Sequence, residues 1–272
     1  MIVKAKTITL CADDFGMNPG ISQGILKLVR LQRLSAVSCM VNTPDFKLYA
    51  KSLLTLKDQV QTGLHFNLTE DYLLSDLERY GFKLNELLLK THLGLINRQF
   101  IINEFNAQLD HFIQVMGTLP DFIDGHQHVH QFPTIRQIIL RIYEQRLRRN
   151  KTIIRSTYPV LISSNSIKSR ILSFTGGKNL SIQLKALKIP HNRYFSGVYN
   201  FARGTDYRAL FRSWLALAQH GTLIMCHPGE VVTNKDAISH ARYVELDYFL
   251  SDAFLADCQE YSVRLTASPK AG

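Results

Sequence analysis

Seven short apolar runs punctuate this chain, at Ile8–Ala12, Ala36–Val41, Val60–Leu68, Phe122–Asp124, Thr152–Arg155, Thr222–Cys226 and Ser262–Leu265. Several are rich in β-branched residues, as buried strands are. Between them lie stretches with helical periodicity. Asn18-Pro19-Gly20 opens one through Ile21, Ile25, Leu28 and Val29, with proline in the first turn where its missing N–H costs nothing. Arg98–Met116 carries Phe100, Ile101, Phe105, Leu109, Phe112, Ile113 and Met116 at three- and four-residue spacing. Ile135 to Ile142, Leu210 to Ala218 (closed by Gly221) and Val244 to Leu255 follow. Strands alternating with helices predict the α/β class and a parallel sheet closed into a barrel or nearly so. A chain of 272 residues without a Pro/Gly/Ser-rich linker or repeat fits one domain, 1–272. Residues 70–97 read as an insertion or lid, and residues 163–193 carry no clear pattern.

The polar residues of interest follow these runs. Asp13 and Asp14 close the first, His65 and Asn67 alternate onto one face of the third, and His126 follows the fourth. Arg155 ends the fifth and His227 follows the sixth. In parallel α/β folds the C-terminal strand ends share one rim, so groups as distant as Asp13 and His227 can converge there. Three of the ten histidines, His126, His128 and His130, lie within five residues. Neutral imidazole binds divalent metals without first losing a proton, so the pattern points to a metal site. Cys11, Cys39, Cys226 and Cys258 form no CxxC pair, which suggests neither a structural zinc nor a disulfide framework and fits a reducing, cytoplasmic location.

The balance of 32 basic and 22 acidic residues gives a net charge of +10. Much of it sits between Arg136 and Arg155, the solvated face and C-terminal end of a helix. No nucleic-acid motif with interleaved aromatics accompanies it, so a nucleic-acid partner is not expected. No apolar run approaches the roughly 18 residues of a membrane span. Peripheral contact with an anionic membrane, and a homodimer, are compatible with the sequence.

Taken together, Ala12-Asp13-Asp14-Phe15-Gly16 with Pro19-Gly20, Gly63-Leu64-His65-Phe66-Asn67-Leu68-Thr69, Asp124-Gly125-His126-Gln127-His128-Val129-His130 with Pro133, and His227-Pro228-Gly229 resemble the YdjC-like carbohydrate deacetylase family. The motifs span about 220 residues, in the family's order. One departure is Gly125, where serine is common. The resemblance implies a deformed (β/α) barrel of the NodB/YdjC deacetylase type with roughly seven to eight parallel strands. It also implies one divalent metal ion held by Asp14, His65 and His126, with Asp13 as catalytic base.

The expected reaction is removal of an N-acetyl group from an acetylated amino sugar, on an oligosaccharide or a glycolipid. An Asp and two His suit Zn, Mn, Co or Ni, and accept Mg where waters complete the shell; Mg or Zn is the leading expectation. His227 is the expected acid for the leaving amine, and Arg155 is expected to orient Asp13. If 126–130 stays extended, His128 and His130 share a face with His126, so they and Asn67 are expected as substrate or supporting contacts. Tyr158, Phe195, Tyr199 and Phe201 are candidates for sugar stacking. Two rival readings stay open: a barrel-type metal-dependent phosphoesterase, and a non-catalytic metal-stabilised protein docking on anionic membranes.

Overall fold

The computed structural model describes residues 5–161, 173–230 and 236–266. Its sheet is built from parallel strands joined by helical crossovers. In chain order these are β1 (Lys6–Phe15), α1 (Pro19–Arg30), β2 (Ala36–Cys39), α2 (Pro44–Leu54), β3 (Gln61–Phe66), β4 (Tyr72–Leu73), β5 (Asp76–Tyr80), α3 (Leu84–His92) and α4 (Arg98–Met116). There follow β6 (Phe122–Gly125), a 3-10 turn at His126–Gln131, α5 (Pro133–Arg146), β7 (Ile153–Ile154), α6 (Lys178–Ala186), β8 (Tyr194–Ser196), α7 (Tyr207–Leu217), β9 (Thr222–Cys226), α8 (Ser239–Leu250), α9 (Asp252–Glu260) and β10 (Val263–Leu265). The strand order is β7-β6-β3-β2-β1-β9-β8, and β10 pairs with the first residues of β1. Past β7 the same chain reaches β8, where Leu161 N–H donates to the Phe195 carbonyl at 2.7 Å. The sheet is therefore a curled, deformed (β/α) barrel.

Why these segments adopt these forms is legible locally. Asn18 and Asn97 accept hydrogen bonds from the Ile21 and Phe100 amides and so cap α1 and α4; α4 stops where Gly117 turns left-handed. Strand alternation then sorts side chains between two layers. Ile8, Leu10 and Ala12 of β1 pack under the helices in the main core. Cys11 faces the interior of the curl with Ala36, Phe122, Phe195, Leu223 and Met225. Gly63 makes room for that filling, since a Cβ there would lie 2.3 Å from the Phe122 ring.

Several elements differ from expectation. The run Thr152–Arg155 yields only a two-residue strand, because the chain turns away to reach β8. Val244–Leu255 is not one helix but the junction of α8 and α9, broken at the extended Ser251. Neither α2 nor β8 was anticipated. Residues 70–97 form a hairpin and α3; of 163–193, residues 163–172 lie outside the described residues. Among the described residues no helix is long and apolar enough to cross a membrane.

Candidate active site

Adjacent residues on a regular strand face opposite sides, so Asp13 and Asp14 should not share a site. An irregularity in β1 reconciles them. Against β2, Ala12 pairs with Val37 and Phe15 with Cys39, leaving one extra residue on β1, and Asp14 takes a left-handed φ of 69°. Aspartate tolerates this region better than most residues. The bulge turns both carboxylates onto the wall of one cavity of about 560 Å³ at the C-terminal rim of the sheet.

Asp14 Oδ1 lies 2.9 Å from His126 Nδ1 and 3.2 Å from His65 Nε2. One donor atom from each of the three falls within 4.8 Å of the others, and all three side chains are buried. His65 is oriented from behind. Its Nδ1 lies 2.6 Å from Asp124 Oδ1, and the Ser38 hydroxyl donates to the same oxygen at 2.5 Å. Burial alone would lower the His65 pKa, but Asp124 above all, with Asp14 and Asp13, pushes it up to about 10. Burial would raise Asp14, yet Arg242 and His126 hold it well below the usual carboxylate range. Three buried donors whose mutual contacts are polar, one backed by a carboxylate, fit a divalent ion.

Asp13 is gripped by Arg155, whose Nη1 and Nη2 donate to its two oxygens at 2.6 and 2.7 Å. The same guanidinium lies 2.5 Å from Asp124 Oδ2 and donates to Cys11 Sγ at 3.0 Å. Burial would lift Asp13, but Arg155 holds it well below its ordinary range. Arg155 thus occupies the centre of a second group of potential ligands, Cys11, Asp13 and Asp124.

Across the cavity stands His227, directly after β9. Among the described residues its Nδ1 has no hydrogen-bond partner; its backbone N–H donates to Glu245 Oε2 at 2.5 Å, and the Phe201 ring meets it edge-on at 5.3 Å. Burial brings its pKa down to about 4, against the raising pull of Asp14 and Asp13.

The histidine cluster is not extended. Gln127 and His128 adopt φ of 52° and 60°, which coils the segment into the 3-10 turn and sends the three rings different ways. His126 meets Asp14, His128 lines the cavity against Phe195, and buried His130 bonds the Arg155 carbonyl through Nε2 at 3.1 Å. Gly125 permits the turn, since a Cβ there would sit 2.9 Å from the His130 nitrogen. Burial lowers His128 and His130, the latter to about 4. Asn67 lies beyond the end of β3, and its amide is committed to the next turn: it donates to Asn42 Oδ1 and the Glu70 carbonyl and accepts from the amides of Thr69 and Glu70.

Tyr199 and Phe201 line the cavity; Phe195 is buried behind His128, and Tyr158 is not in the wall. Residues 70–97 supply a wall through Glu70, Leu84, Asn85 and Leu88. Three participants were not singled out from sequence. Asp124 had a signal, lying two residues before His126 and so on the same strand face; Arg242 and Glu245 sit in a helix whose pattern marks neither.

Among solved structures, a protein from Enterococcus faecalis V583 provisionally named for cellobiose-phosphate cleavage superposes with a TM-score of 0.75 at 20% identity, over 99% of this chain and 100% of that one. A peptidoglycan N-acetylglucosamine deacetylase superposes with a TM-score of 0.51 at 12% identity, over 98% and 87%. Both attest the fold. Among sequence relatives, a chitooligosaccharide deacetylase of Salmonella typhimurium is 25% identical over 267 residues, 95% of this chain and 96% of that protein. A chitooligosaccharide deacetylase of Proteus mirabilis is 31% identical over 52% of this chain and 57% of its own length. A carbohydrate deacetylase of Danio rerio is 30% identical over 50% and 45%. The chain spans about half the length of these last two relatives. The YdjC-like protein family model matches residues 7–260, the stretch holding Asp13, Asp14, His65, His126 and His227, so the chain belongs to the YdjC-like family.

Proposed function

We propose that this protein is a divalent-metal-dependent hydrolase that removes the acetyl group from an N-acetylated amino sugar. The observation that carries the reading is the convergence of Asp14, His65 and His126 with Asp13 and His227 on one cavity. The names of the relatives support the substrate class. Asp14, His65 and His126 would hold the ion, Mg or Zn foremost, with Mn, Co and Ni also suited to the donors. Bound there, a divalent cation supplies Lewis acidity to an acetyl oxygen and acidifies water.

The chain's own residues do the rest. A carboxylate offers about four lone-pair sites, so the two bonds from Arg155 leave Asp13 able to take a proton from the attacking water. Arg155 holds the Asp13 carboxyl well below its ordinary range, so Asp13 is ionised in the resting site. The water oxygen then bonds to the acetyl carbon, the C–N bond breaks, and the nitrogen must leave as an amine. His227 is uncharged in the resting site, so the proton it delivers to the nitrogen is the one Asp13 took from the water, relayed through the imidazole; both residues thereby return to their starting protonation states as acetate and amine leave. The apolar wall of Met17, Leu84, Leu88, Val198 and Met225, with Tyr199 and Phe201, excludes water and offers faces for a sugar ring.

A phosphoesterase using two ions would need a second set of free ligands. The Cys11, Asp13 and Asp124 group already holds the Arg155 guanidinium, and burial keeps the Cys11 thiol protonated, so this chemistry favours one ion per chain. The test is acetate release from N-acetylglucosamine oligomers and acetylated glycolipids, using metal-stripped protein with Mg, Zn, Mn, Co or Ni restored. Metal-dependent release from at least one substrate is expected; none from any, with one ion bound per chain, would overturn the proposal.

A further inference from the structure

Arg242 of α8 is 2% exposed and lines the cavity. Its Nη2 donates to Asp14 Oδ2 at 2.7 Å and its Nε to Asp236 Oδ2 at 2.5 Å. Nη1 reaches the His227 carbonyl at 3.5 Å, and its own carbonyl accepts the Gly229 N–H at 3.2 Å. The two oxygens of Asp14 are thus divided. Oδ1 faces both imidazoles, while Oδ2 belongs to Arg242.

We infer that Arg242 is a positioning residue that confines Asp14 to presenting a single oxygen to the ion, an inference resting on the proposed use of Asp14, His65 and His126 as ligands. Two physical consequences follow. A carboxylate with one oxygen withheld takes one position on the ion instead of two, which keeps positions open for water and substrate. A guanidinium on the ligand also withdraws part of its charge, so the ion is held less tightly than an unrestrained Asp and two His would hold it. Arg242 therefore exchanges affinity for reactivity. A residue that merely braced Asp14 would act in the opposite direction on affinity. The same side chain touches the His227 segment, so the residue that fixes the metal carboxylate also helps locate the proton relay. Asp236 holds the far side of the guanidinium, fixing the fork's rotation.

The test compares Arg242→Gln and Arg242→Lys with the parent protein in three measurements: Zn2+ affinity of stripped protein by calorimetry, kcat, and KM for acetate release. Arg242→Gln should bind Zn2+ at least as tightly as the parent while kcat falls by at least about tenfold, on the scale of a mispositioned catalytic group. Arg242→Lys, which keeps the charge but not the fork, should show parental Zn2+ affinity and recover part of kcat at unchanged KM. Zn2+ affinity in Arg242→Gln weaker by tenfold or more, or a kcat within threefold of the parent, would overturn the inference. Should the glutamine variant not fold, the lysine variant decides, because a parental kcat in it counts against the fork. If the parent itself releases no acetate, the deacetylase reading fails while the Zn2+ comparison still judges Arg242.

Discussion

Asp124 Oδ1 lies 2.6 Å from His65 Nδ1, and this contact determines which ring nitrogen of His65 faces Asp14. The carboxylate can only accept, so Nδ1 keeps its hydrogen, and Nε2, protonated in the metal-free site where the pKa is pushed up to about 10, is the nitrogen whose proton an ion would displace. Replacing Asp124 by Asn would let an amide donor meet Nδ1 and favour the other tautomer. Zn2+ affinity of the stripped Asp124→Asn protein should therefore fall by ~10- to 100-fold. Titration calorimetry checks this, and parental affinity would show that the tautomer is fixed by something else.

Asp13 is held apart from the ligand set by Arg155, and that separation predicts a divided phenotype. Asp13→Asn should reduce kcat by ~10²- to 10⁴-fold, the usual worth of a general base. Its Zn2+ affinity should stay within a few fold of the parent, because Asp14, His65 and His126 are untouched. Arg155 keeps Asp124 as a counter-ion in this variant, so the fold has no unpaired buried guanidinium to accommodate. Retention of full acetate release would remove Asp13 from the mechanism.

The order of strands and helices was readable because burial on both faces of a parallel strand leaves uninterrupted apolar runs, and Arg98–Met116 was readable because one face of α4 is core. The adjacency of two aspartates was visible too. What was not visible was the bulge that lets both face one cavity, since a single left-handed residue at Asp14 has no sequence mark that separates it from a cap. The same limit explains 126–130. Alternation along an extended chain predicts a shared face, but φ above 50° at Gln127 and His128 coils the segment and sends His130 to a backbone carbonyl. Arg242 and Glu245 act through contacts to residues over 200 and about 20 positions away, respectively, which helical periodicity does not encode.

Glu245 is fully buried between the Tyr199 hydroxyl, which donates to it at 2.6 Å, and the His227 amide. Burial pushes its pKa up from 4.5 to about 7, against the lowering effect of these two bonds. Between those values the native state holds a proton that the unfolded chain has released, so its contribution to stability declines as pH rises through the window and is lost above about 7. The decline is on the order of 3 kcal/mol at most. Glu245→Gln does not titrate, so urea unfolding of stripped protein at pH 5 and pH 8 should show the parent losing stability relative to the variant. A stability difference that is the same at both pH values would mean Glu245 ionises normally.

Glu104 of α4 ties the segment 70–97 to the barrel. Its Oε1 accepts from the Leu74 amide at 3.1 Å and from Gln108 Nε2 at 2.6 Å, while Oε2 accepts from the Ser75 amide at 2.7 Å. Gln108 in turn bonds both the amide and the carbonyl of Asn67, so the turn after β3 and the β4–β5 hairpin share one buried anchor. Since α3 follows the hairpin and contributes Leu84 and Leu88 to the cavity wall, loosening the anchor should disturb substrate binding more than chemistry. Glu104→Ala should cost ~1–3 kcal/mol of stability, as backbone donors lose their acceptor. Amide exchange at Leu74 and Ser75 should accelerate, and KM for acetate release should rise with kcat within about threefold of the parent, because Asp13, Asp14 and His227 keep their own supports. Unchanged exchange at those two amides would mean that the hairpin is held by its own pairing, while a fall in kcat at constant KM would place the anchor's effect on the rim and not on the wall.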